Sequence, residues 1–157
     1  MVESLEKIRN FVALDDRIGT AGQPRADQFA SVADAGYELV INLAMPDHED
    51  SIDQEGSLVS ALGMTYIHIP VPFDAPDETH LSQFLGIMQA NRERKVFIHC
   101  IMNYRVSAFM YHYFQRVEGR SQAGSRSPMF SRWEPDEIWL SFMQGNGLDK
   151  SGEATGR

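Results

Sequence analysis

Cys100, the single cysteine of the chain, follows His99 at the end of the apolar run VFIH and stands five positions before Arg105, with a hydroxyl two residues further on at Ser107. A thiol and a guanidinium at this spacing suit attack on an oxyanion centre. The sulfur supplies the electron pair, and the guanidinium fork takes two oxygens at once. The plainer reading is a buried, inert thiol at a strand end, since free cysteine is among the most buried residue types. Placement bears on the choice. In open α/β sheets ligands gather beyond the carboxyl ends of the strands, where Cys100 falls. Backbone N–H groups of the loop and of the next helix's first turn favour an anion there, and that field, with Arg105 nearby, favours a thiolate. An arginine in a helix's first turn otherwise opposes the helix dipole, so its position makes sense beside an anion.

The elements that hold these residues follow from hydrophobic period. Pro24 leads into a helix predicted over Arg25 to Ala35, with Phe29, Val32 and Ala33 on one face and Gly36 at its close. ELVINLA then reads as a strand buried on both faces. The unit recurs: a helix in SIDQEGSLVSALGM ends near Gly63, and the strand TYIHIPVP ends at Pro70 or Pro72. A third helix starts at Asp77 as N-cap and buries Leu81, Phe84, Leu85 and Met88. The strand KVFIH precedes a fourth helix carrying Val106, Phe109, Met110, Tyr113 and Val117. A polar, Gly/Ser-rich stretch, EGRSQAGSRSPMF, reads as loop or weak helix. A last helix has Pro135 in its first turn and Ile138, Trp139, Phe142 and Met143 inward. Such alternation predicts a single α/β domain over 1–145, with a central, mostly parallel sheet flanked by helices on both faces. Residues 146–157 have little to bury and read as a flexible tail.

The chain's 157 residues suit one core, and 43% hydrophobic with 23% charged residues is a globular composition. A net charge of -8 argues against nucleic acid or an anionic membrane as main partner, so anion affinity must be local. No stretch has the length of a membrane span, and MVESLEKIRNF does not read as a signal peptide. A lone cysteine excludes an internal disulfide and dithiol chemistry and suits a reducing, cytoplasmic compartment. Asp47, His48, Glu49, Asp50 and Asp53 crowd one segment, but mixed acidic loops are more often solvated, and no metal is expected there. His68, His80 and His112 have no ligand spacing. Tyr104, Tyr111, Tyr113 and Phe114 read mostly as core or groove lining, and Trp133 and Trp139 as core.

The order TAGQP, AGYELVINLA, IHIPVPFDAP, VFIHC and RVSAF resembles small bacterial phosphatase-like proteins related to the dual-specificity type, catalogued as a domain of unknown function, within the cysteine-dependent tyrosine-phosphatase superfamily. The likeness runs from about Ile18 to Phe142. It implies a phosphotyrosine-phosphatase-like fold and hydrolysis of a phosphomonoester through a phosphocysteine, without metal or cofactor. Under it Cys100 is the nucleophile and Arg105 binds the phosphoryl oxygens. His99 orients the loop and keeps the thiol ionised, and Ser107 eases sulfur departure. The amides of Ile101, Met102, Asn103, Tyr104 and Arg105 supply the remaining donors. The general acid belongs to PVPFDAPDETH: Asp74, in mid-loop, is the choice, and Asp77 stands in reserve because capping already employs it. The expected partner is a phosphorylated small molecule or phosphoprotein. Oligomeric state is not legible.

The chain departs from the family pattern in two places. Only four residues, IMNY, separate Cys100 from Arg105 where the common signature has five and usually a glycine; Asn103 is the residue best able to replace that glycine's left-handed backbone. Ala44 stands where many relatives carry arginine. Two alternatives therefore accompany phosphatase activity: a phosphate-binding module without turnover, and a sulfurtransferase similar to rhodanese.

Overall fold

The computed structural model describes residues 3–145, and the tail expectation for 146–157 lies outside them. Five strands, β1 (Val12–Ala13), β2 (Ile18–Ala21), β3 (Leu39–Asn42), β4 (Thr65–His68) and β5 (Val96–His99), form one sheet in the order β1-β2-β5-β3-β4. Only the β1–β2 hairpin is antiparallel. The helices are α1 (Phe29–Asp34), α2 (Glu55–Ala61), α3 (Glu78–Ala90), α4 (Tyr104–Arg116) and α5 (Glu137–Met143).

Strand alternation divides the core in two. Ile18, Leu39, Ile41, Val96, Ile98 and Cys100 face α3, α4 and α5, where Phe84, Phe109, Trp139 and Phe142 fill the space. Val40 and Phe97 face the opposite layer, made with Phe29 and Val32 of α1, Val59 of α2 and Ile8. The predicted α/β sheet with helices on both faces is therefore present.

Element boundaries differ where local chemistry overrides period. The strand TYIHIPVP stops at His68 because Pro70 and Pro72 have no N–H to give the ladder; Ile69 and Val71 still donate to Asn42 and Leu43. In α5 the cap is Asp136, whose side chain accepts from Trp139 N at 3.0 Å, so Pro135 precedes the helix instead of sitting in its first turn. Ile138 is exposed, because the inward arc of this short helix centres on Trp139, Phe142 and Met143. The Gly/Ser-rich stretch forms two 3-10 turns, Ala123–Ser125 and Pro128–Ser131. Strands β1 and β2 have no counterpart in the sequence reading: VA and IGTA are short, and Gly19 and Ala21 are residue types depleted in strands.

Candidate active site

The central strand β5 runs between β2 and β3, and its register places His99 opposite Ala21 and Asn42. Cys100 follows directly, its N–H donating to Ala21 O at 3.3 Å. Alternation then sends the two neighbours apart: the Cys100 side chain joins the α3–α4–α5 face, while the His99 ring packs against Phe29 and Phe97 on the other. The loop turns into α4 at Asn103, whose φ of 71° and ψ of 14° are left-handed, so this asparagine does occupy the backbone conformation expected of a glycine.

Asn103 is fully buried and braced. Its Nδ2 donates to Asn10 O at 2.8 Å and to Thr20 Oγ1 at 3.1 Å, and Asn10 Nδ2 returns a bond to Met102 O at 2.9 Å. The Ser107 hydroxyl donates to Asn103 O at 2.7 Å, so its proton is directed at the loop backbone and not at the sulfur. From the other side, Gln23 N donates to Ile101 O at 2.9 Å. Gly22 permits that approach, since a Cβ there would collide with the Ile101 carbonyl oxygen. Among the described residues, the N–H groups of Ile101, Met102, Asn103, Tyr104 and Arg105 find no acceptor within the protein. Such a run of free amides around a helix N-terminus is an anion nest.

Arg105 is only 6% exposed. Its Nη1 donates to Val71 O at 2.9 Å, and its guanidinium lies 5.5 Å from the centre of the Phe73 ring. Its Nε is buried with no hydrogen-bond partner. Cys100, 1% exposed, lines the same cavity of about 760 Å³ as Arg105, Ile101 and Met102.

The cavity walls come from the two flanking loops. Phe73 and Tyr104 enclose one side, and Tyr104 is backed by Trp133 in a parallel stack at 4.7 Å. Trp139, buried in the core as expected, donates its indole N–H to Phe73 O at 2.8 Å and so fixes the loop that carries Asp74. Asp74 itself is exposed and is not among the lining residues. Asp77 caps α3, its Oδ1 accepting from His80 N at 3.0 Å. Met45, Asp47, His48 and Glu49, from the loop after β3, also line the cavity. Sequence reading treated that segment as solvated. The missed signal is topological: β3 and β5 are parallel neighbours, so the loops at their carboxyl ends must share one end of the sheet.

Behind the loop lies a buried cluster that sequence reading also missed. His99 Nε2 stands 2.6 Å from Glu55 Oε2, Glu55 Oε1 accepts from Gln23 Nε2 at 2.9 Å, and His99 Nδ1 is 3.1 Å from Cys100 O. Glu55 titrates below the ordinary carboxylate range: burial pushes it up, and the hydrogen bond and charge of His99, with the Gln23 bond, more than offset that.

A cysteine at the tip of the central parallel strand, a nest of free amides and a buried arginine closing the loop define a protein with the architecture of the cysteine-based tyrosine-phosphatase-like phosphatases. The particular likeness is to a protein of Shewanella putrefaciens described as "Putative phosphatase (DUF442)". That structure superposes with a TM-score of 0.81 at 28% identity over 90% of this chain and 93% of its own. The fold is shared as well with Pseudomonas aeruginosa TpbA in complex with phosphotyrosine (TM-score 0.61, 19% identity, 90% and 76% coverage) and with PTPMT1 in complex with PI(5)P (TM-score 0.73, 11% identity, 87% and 94% coverage). No protein-family model matches the chain. Among curated proteins, "Beta-lactamase hydrolase-like protein" of Agrobacterium fabrum is 37% identical over 93 residues, and its namesake in Xylella fastidiosa is 29% identical over 113. The matched segment is 57% and 69% of this chain but only 21% and 26% of those relatives, roughly a quarter of their length.

Proposed function

We propose that the protein is a phosphatase that hydrolyses a phosphomonoester through a phosphocysteine intermediate. The observation that carries this reading is the buried, unpartnered Nε of Arg105 in the same cavity as Cys100, beside five loop amides without acceptors. An orphaned buried donor costs about 1–3 kcal/mol, and a phosphoryl group spanning the loop would satisfy it together with the amides.

In this mechanism Cys100 Sγ, as thiolate, attacks phosphorus in line with the leaving oxygen. The S–P bond forms, the P–O bond breaks, and the alkoxide takes a proton from a carboxylic acid. Arg105 and the loop amides hold the equatorial oxygens throughout. Water then attacks the thiophosphate and gives its proton to the same carboxylate, while sulfur departs as thiolate and phosphate is released. Asp74, beside the fixed Phe73, is the proposed acid. Asp47 competes with it because it lines the cavity wall. His99 positions the loop through the Cys100 carbonyl, and Ser107 acts through Asn103.

The apolar lining residues Met45, Phe73, Met102 and Tyr104 suit an aryl or alkyl body, whereas Asp47 and Glu49, which also line the cavity, repel further phosphates. A single phosphate on an apolar body, in a small molecule or a phosphoprotein, is therefore the proposed substrate. The chain's acidity and lone cysteine agree with a cytoplasmic setting. Among the described residues no helix is long and apolar enough to cross a membrane.

The test is hydrolysis of a small aryl phosphate by wild type and Cys100→Ser, with and without vanadate. Turnover that is lost in the variant and blocked by vanadate is expected. Saturable phosphate binding without turnover would overturn the hydrolase and leave the binding module, which the same unpartnered donors support.

A further inference from the structure

Glu55 is a buried acid on α2, outside the loop and outside the cavity, and the chemistry above makes no use of it. It is 4% exposed and its two oxygens have different duties: Oε2 meets His99 Nε2 at 2.6 Å, and Oε1 accepts from Gln23 Nε2 at 2.9 Å. The Gln23 amide also donates to Pro24 O at 3.1 Å, so its nitrogen has two acceptors and its orientation is fixed. Glu55 is thus held ready as an acceptor towards His99.

The other ring nitrogen of His99 faces a second acceptor, the carbonyl of Cys100 at 3.1 Å. A neutral imidazole carries one N–H and can satisfy one of the two; the doubly protonated ring donates to both. We propose that Glu55 is a positioning residue that holds His99 as the imidazolium, so that its Nδ1–H fixes the Cys100 carbonyl and its charge favours the Cys100 thiolate. Glu55 does not touch the reacting atoms. It acts through His99, and its effect reaches the loop along one hydrogen-bonded line.

The surroundings sharpen that assignment. The His99 ring is enclosed by Phe29 and Phe97, and Glu55 is its charged partner. Around Glu55 the other titratable groups are Tyr66 and His68 of β4. Tyr66 stays neutral, with burial pushing its hydroxyl up to about 12, and that hydroxyl accepts from Asn42 Nδ2 at 3.0 Å. His68 bonds the Ala44 carbonyl at 2.7 Å. In such dry surroundings, removing the carboxylate charge leaves the imidazolium without compensation, and the ring gives up a proton.

This inference concerns the site proposed above as phosphatase, but its test needs no turnover. Nitrogen NMR of the wild type at neutral pH reads the ring directly: both His99 nitrogens protonated is expected, and a free lone pair on either would overturn the proposal. The rate of Cys100 alkylation by iodoacetamide against pH then compares wild type with Glu55→Gln, with thermal melting recorded for both. The midpoint is expected to move up by about one pH unit or more in the variant. A folded variant whose profile superimposes on the wild type would overturn the proposal, and if the variant does not fold, the wild-type spectrum still decides. An alkylation shift without aryl phosphate hydrolysis would leave Glu55's role standing and remove only the hydrolase reading.

Discussion

The two ends of the Arg105 guanidinium differ: Nη1 ties the loop after β4 through Val71 O, and Nε is left buried without a partner. Lysine would keep the charge but not the fork, so Arg105→Lys is expected to lower kcat/KM for an aryl phosphate by about 10²-fold or more. Phosphate affinity measured by calorimetry should fall with it, and unchanged affinity would argue against phosphoryl binding by this side chain. The acid is decided by a paired experiment. Asp74→Asn is expected to reduce kcat by about 10²-fold or more and to remove one limb of its pH profile, while Asp47→Asn leaves that limb in place; the reverse pattern would assign the proton to Asp47. Legibility at this scale was uneven. His99, Cys100 and Arg105 lie close together in sequence and could be read as a unit, whereas Gln23 and Glu55 reach the same loop from distant segments and no local spacing announces them.

The loop works because its neighbours hold it in a conformation that side chains avoid. Asn103 accepts the left-handed backbone and repays it with bonds to Asn10 and Thr20. Asn103→Ala loses both advantages and is expected to destabilise the fold by about 2–3 kcal/mol in urea titration, with Asn103→Gly intermediate because it keeps the backbone freedom alone. At the α4–α5 junction, His112 Nε2 bonds Phe142 O at 2.8 Å, and burial lowers its pKa to about 4 from an ordinary 6.5. The unfolded chain therefore takes up a proton that the native ring refuses. Stability is full above about 6.5 and is lost as pH falls from there towards about 4, by on the order of 1–3 kcal/mol, which a series of thermal melts would register. Long periodic elements such as α3 and α4 were legible in the sequence. Three short pieces were not, since β1, β2 and the start of α5 are set by tertiary pairing and by the Asp136 cap.

For the molecule as a whole, a net charge of -8 surrounds a pocket whose cation is recessed. Repulsion at long range and attraction at short range give a specific salt signature. For a phosphopeptide rich in acidic residues kcat/KM should rise with added salt, for a basic one it should fall, and equal responses would show that the field has no part in selection. Fold class and sheet-end location were legible at this scale, because alternating helix and strand patterns admit few topologies. The cavity's acidic wall was not, because neighbouring loops meet only once strand order is known. That order has a consequence in time. Strand β5, last of the five in sequence, is third across the sheet, between β2 and β3. During synthesis the earlier strands emerge as two separate pairs with bare inner edges, and such edges are templates for mispairing. The segment that closes them is the one that delivers Cys100, so the Cys100 loop receives its setting in the same late event that makes the sheet continuous.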